Sequence, residues 1–148
     1  MRLGFVIGAC VAFTALAGCV GSDTQVSSKP NAGPGTQFTT PVEAGRIFAK
    51  ACVLTEPTFK GAEKALLTYP ITHSSTTGTY YHNSDNLSVK VHQGTCSLVF
   101  GANKSTDAVI DGLARGSMSV APELPRDIDI TSHKGPDGVT YFRLGLER

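Results

Sequence analysis

Behind Met1-Arg2, residues 3–16 carry no charge and are mostly apolar, and the run closes on Leu16-Ala17-Gly18-Cys19. A bilayer span needs about 20 apolar residues. This run is shorter and is interrupted by Gly4 and Gly8. A positive start, a short apolar centre and small residues at the end make it a processing segment, excluded from any fold. Residues 19–39 follow with Gly, Ser and Pro at close intervals and no apolar period. Such a stretch reads as a flexible tether. The folding information must therefore lie in residues 40–148, a length that suits one domain with one core.

Leu16-Ala17-Gly18-Cys19 resembles the cleavage and lipidation site of bacterial lipoproteins. The resemblance covers residues 1–19 only and says nothing of the domain behind them. It implies removal of residues 1–18, a lipid-bearing Cys19, and a protein held to a membrane of the cell envelope through that lipid. Val20 stands where an aspartate would favour the inner membrane, so the expected address is the periplasmic face of the outer membrane. An ordinary secretory signal with a chance cysteine is the competing reading.

Given export, the four cysteines sort themselves. Cys10 leaves with the signal, Cys19 takes the lipid, and Cys52 and Cys96 remain. Two thiols left over in an oxidising compartment are expected to pair as a disulfide. Charge is uninformative about partners except by exclusion. Lys and Arg total 13 against 12 Asp and Glu, and Arg2 is the only charged residue ahead of Cys19. A chain starting at Cys19 is balanced, without the basic excess that phosphate neutralisation requires, so nucleic acid is not an expected partner.

The domain opens with a marked helix start. Thr40-Pro41-Val42-Glu43 supplies a cap, a proline at the first helical position and a glutamate that can reach back to the cap. Val42, Phe48, Ala49 and Cys52 fall near one face. A second helix is expected after Pro57, with Phe59, Ala62, Ala65 and Leu66 inward, ending before Pro70. From residue 71 to residue 100 the period becomes two. A hairpin around Gly78, a turn at residues 83–86 and another at Gln93-Gly94 separate strands in which Leu87, Val89 and Val91 share a face, as do Cys96, Leu98 and Phe100. That second face points Cys96 towards the core the first helix should cover, opposite Cys52. A third helix is expected from Ser105 to about Arg115, with Ala108, Val109, Leu113 and Ile110 on its apolar side and Gly116 as its stop. Residues 127–130 alternate, residues 135–138 form a turn, and residues 139–146 read as a last strand. The expected class is α+β: N-terminal helices packed on an antiparallel sheet, a further helix, a C-terminal hairpin and one disulfide.

Candidate chemistry is sparse. His82 and His92 flank the turn at 83–86, but no zinc spacing accompanies them, and no metal or other cofactor is expected. Gly94-Thr95-Cys96-Ser97-Leu98-Val99 resembles the nucleophile segment of cell-wall thiol peptidases, with His133 or His92 as the base. In that family the cysteine opens a helix whose positive end lowers the thiol pKa, whereas Cys96 here opens an alternating strand. Asp127 and Asp129 stand two apart, as a carboxylate pair or a wet strand face. Tyr80, Tyr81 and His82 place amphipathic side chains on a hairpin, and form the candidate binding surface. The expected function is a non-catalytic, lipid-anchored accessory protein that binds an envelope protein or cell wall. A membrane-anchored cell-wall hydrolase using Cys96 is the alternative.

Overall fold

A computed structural model describes residues 32–125 and 127–148; the apolar run, Cys19 and the first part of the tether lie outside the described residues. Helix α1 spans Pro41–Ala51, a short 3₁₀ turn spans Val53–Thr55, and α2 spans Ala62–Leu66. Strands β1 (Ile71–Ser74), β2 (Thr79–His82), β3 (Leu87–His92) and β4 (Thr95–Ala102) follow. Helix α3 (Thr106–Met118) then leads to β5 (Asp129–Lys134) and β6 (Thr140–Glu147). The α+β architecture expected of the pattern is therefore the one observed.

The six strands form one sheet in the order β1-β2-β3-β4-β6-β5, with every adjacent pair antiparallel. The last strand thus enters between β4 and β5 and leaves β5 at the rim. Alternation sorts the side chains onto two faces. Val91, Cys96 and Leu146 are cross-strand neighbours, as are Val89, Leu98 and Leu144, and Leu87, Phe100 and Phe142. All of these except the half-buried Val91 lie in the core beneath the helices.

Helix α1 starts as its sequence requires: the Thr40 hydroxyl accepts from the Glu43 amide at 3.2 Å and Pro41 occupies the first turn. Its buried face joins Ile47 and Phe48 to Ala44, Gly45, Ala49 and Ala51. The small residues matter because α3 crosses here with three glycines at the contact. A Cβ on Gly45 would stand 2.4 Å from the Leu113 carbonyl oxygen, and one on Gly116 would stand 2.0 Å from that of Val42. On Gly112 it would meet Pro41 at 2.7 Å. The Ser117 hydroxyl closes the seam by donating to the Gly45 carbonyl at 3.1 Å.

Three expectations need correction. Gly116 does not stop α3, which continues to Met118; the glycine is there for close helix approach, not for a left-handed cap. The buried face of α3 is Val109, Gly112, Leu113, Gly116 and Ser117, while Ala108 and Ile110 face solvent. Glycine carries no hydrophobic signal, so the sequence pattern points to its larger neighbours instead. The second helix is one short turn, and the buried Phe59 precedes it in a left-handed conformation, φ 54°.

The tether also contracts. Residues 32–39 form a strap laid against the β2–β3 end of the sheet: Ala32 is fully buried, and Thr36 and Gln37 amides donate to the Ser84 carbonyl. Gln37 bridges Asp85, whose carboxylate accepts from the Thr39 hydroxyl at 2.9 Å. Gly33 and Gly35 permit this approach, since a Cβ on Gly35 would collide with the Asp85 backbone at 2.0 Å. The glycines that read as flexibility act as close-contact positions.

Candidate functional site

The two domain cysteines are joined. Cys52 caps the end of α1 and Cys96 lies at the start of β4, with a Cα–Cα distance of 5.5 Å and an S–S bond of 2.05 Å. Both are fully buried. The bridge fixes the helical layer to the middle of the sheet, where the strand face shared with Leu98 and Phe100 had pointed. A bonded sulfur is not a nucleophile, so this state offers no Cys96 thiolate to a hydrolase mechanism. The two proposed bases are also on the wrong side. His92 is opposite Thr95 and His133 opposite Tyr141, positions on the sheet face away from Cys96.

The aromatic hairpin does not form one surface. Consecutive strand residues point to opposite faces, so Tyr80 turns inward, opposite Val89, while Tyr81 turns to the other face, opposite Ser88. Tyr80 is 7 % exposed and its ring lies 4.5 Å from that of His73. Burial, aided by the nearby Glu63 charge, raises the Tyr80 phenol above its ordinary pKa. His82 is a structural residue. Its Nδ1 accepts from the Asp85 amide at 3.0 Å, anchoring the turn that holds the strap. His92 stands at the opposite end of β3 from that turn, so the two histidines share no site. Among the described residues no group of three or more His, Cys, Asp or Glu side chains is placed to hold a metal ion.

Tyr80 makes a pH-dependent contribution whose sign is fixed. A group whose folded pKa lies above its unfolded value stabilises the fold below the unfolded value and loses that contribution as pH rises through the folded one. Stability is therefore expected to hold up to about pH 10 and to fall above it. Tyr80→Phe should remove part of that alkaline decline, as read from urea midpoints between about pH 8 and pH 11.

Asp127 and Asp129 each have a cation. The Arg148 guanidinium holds Asp127 and also donates to Glu56 at 2.6 Å, tying the chain end to the loop after α1. Hydrogen bonding from Arg148 lowers the Asp127 carboxyl below the usual carboxylate range. Asp129 faces Arg143 at 3.7 Å.

The part of the molecule best suited to contact another is the sheet face turned away from α1 and α3. Its alternate residues from five neighbouring strands are the exposed Lys90, Arg143 and Thr131, the half-buried Ser97, and the buried Thr79 and Ser88. Two hollows meet at Val99. One of about 170 Å³ is bounded by Val99, Tyr141, Arg143, Thr131 and His133; the other, about 180 Å³, by Thr79, Ser88, Lys90, Ser97 and Val99. Pockets that enclose a small ligand measure roughly 300–1,000 Å³. These hollows suit single groups projecting from a larger partner. Gly145 shapes the surface, because the Arg143 guanidinium lies 3.5 Å from where its Cβ would stand. At one end of the face, the buried Tyr141 hydroxyl donates to Asp137 at 2.7 Å and accepts from the Asn86 amide at 3.3 Å. The polar half of each strand was readable, but not the convergence of β3, β4 and β6 around Val99. That depends on β6 entering next to β4.

Compared with protein-family models, with curated proteins and with solved structures, the chain matches none of them.

Proposed function

We propose that this chain is an exported, lipid-anchored envelope protein. Its stapled domain binds an envelope protein or cell wall, without chemistry of its own, at the periplasmic face of the outer membrane. The observation that carries the reading is the buried Cys52–Cys96 bridge. Disulfides persist in oxidising compartments, which agrees with the apolar run and with Cys19 as the lipid acceptor. Once Cys96 is spent in that bridge, the feature left for contact is the sheet face around the half-buried Val99, where Lys90, Arg143 and Thr131 are exposed.

Growth with an alkyne-bearing fatty acid tests the anchor. The wild-type chain is expected to take the label and sediment with membranes, while Cys19→Ser loses both properties. Label retained by the variant would overturn the lipid assignment. A photo-crosslinking residue in place of Lys90, on the open face, should capture envelope material that the same residue in place of Lys64, on the helical side, does not. Equal capture from both positions would contradict the binding face.

A further inference from the structure

Strand β5 is the rim of the sheet, and among the described residues no strand lies beyond it. It pairs with β6 residue for residue from Asp129 to Lys134, without a bulge, and all six of its residues are exposed. An edge strand offers a row of outward amide and carbonyl groups, which proteins guard with proline, bulges, very short strands or inward charges. The opposite rim, β1, is four residues long. Strand β5 is longer, straight in register and free of proline, with its one lysine at the end.

We propose that β5 pairs with the β5 of a second copy of this chain, in antiparallel fashion about a two-fold axis through Thr131. Such an axis perpendicular to the sheet keeps each face on its own side. Opposed residues must therefore share a face, which leaves only registers centred on a residue. Centring on Thr131 sets Thr131 against its twin, Ile130 against Ser132, and Asp129 against His133 at both ends. Asp129, which its own Arg143 also faces at 3.7 Å, thus meets an imidazole at each end, and two threonines meet in the middle, both favourable cross-strand pairs. Centring on Ser132 puts Lys134 against Ile130 and gives no acid-base pair. Centring on Ile130 sets Asp129 against Thr131, and the only acid that reaches His133 is Asp127, which lies outside the strand and is held by Arg148. Within the strand, the pairing of carboxylate with imidazole therefore selects the Thr131 register over those centred on Ile130 or Ser132. It also brings Ile130, 41 % exposed in the single chain, to within about 7–8 Å of its twin on the helical side.

A ladder of this length buries less than the roughly 1,200 Å² of a stable interface, so the pair is weak in dilute solution. Confinement to a membrane surface through Cys19 supplies the local concentration it needs; that clause rests on the anchor proposed above. The combined sheet has twelve strands and presents both open faces side by side, doubling the contact surface.

Cysteine scanning of the full chain in its own cells tests the register. Cross-strand Cβ atoms stand about 4.5–5.5 Å apart, close to disulfide distance. Thr131→Cys is expected to give a reducible covalent dimer on a non-reducing gel. Asp129→Cys and His133→Cys, each about 13 Å from its own twin at the strand rise, are expected to stay monomeric alone and to cross-link when co-expressed. All three sites are exposed and away from the Cys52–Cys96 bridge, so the fold is retained. No dimer from Thr131→Cys, or equal yields from the three single variants, would overturn the proposal.

Discussion

Replacing Cys52 and Cys96 together by alanine is expected to lower the unfolding free energy by about 4 kcal/mol, the chain-entropy value for a loop of this size. The bridge joins residues 44 apart in sequence. Cutting it returns to the unfolded chain a freedom that the folded state does not share. Net stabilities lie on the order of 5–15 kcal/mol, so the variant should unfold at much lower urea concentration. The loss should also exceed what the missing sulfurs contribute to packing. Helix α1 has a second attachment, its glycine seam with α3, and this keeps the variant folded in buffer. Equilibrium urea unfolding of the oxidised chain and the variant measures the difference. A change below about 1 kcal/mol would show that the loop is already confined in the unfolded chain.

Gly116→Ala tests that second attachment and is expected to cost about 3 kcal/mol. In isolation the substitution should help, since alanine is favoured over glycine in a helix by about 1 kcal/mol. The contact reverses the sign. The added methyl would stand 2.0 Å from the Val42 carbonyl oxygen, and a backbone atom inside α1 cannot swing aside as a side chain can. The helices must separate, exposing Leu113 and Phe48. Gly45→Ala, whose Cβ would meet the Leu113 carbonyl at 2.4 Å, should behave alike and add little to Gly116→Ala, because both relieve strain by the same separation. Thermal unfolding of the two single variants and the double variant reads all three values.

The contrast between these two attachments explains what could be read from the chain. Alternation in Leu87, Val89 and Val91 and in Cys96, Leu98 and Phe100 placed Cys96 on the inner face, and the cap at Thr40-Pro41 placed Cys52 at the far end of a helix. Those are local signals, and they agree with the pairing expected from the cysteines left after export. The glycine seam was illegible for the opposite reason. Gly112 and Gly116 act through the absence of a side chain, and only the partner helix reveals what that absence admits. Gly33 and Gly35 misled in the same way, read as tether when they let residues 32–39 lie close to Tyr81 and Asp85. Tyr80, Tyr81 and His82 are adjacent in sequence, whereas a strand divides neighbours between faces. The surface around Val99 needed the order of the strands, which no local pattern encodes.

Export, removal of residues 1–18 and pairing of the domain cysteines form one account, and a single intact-mass measurement on unreduced protein taken from its own envelope addresses it. The account predicts a chain beginning at Cys19 that carries the mass of attached lipid and gains two hydrogens when the Cys52–Cys96 bridge is reduced. A chain that retains residues 1–18 without lipid, with Cys52 and Cys96 both free, would contradict it.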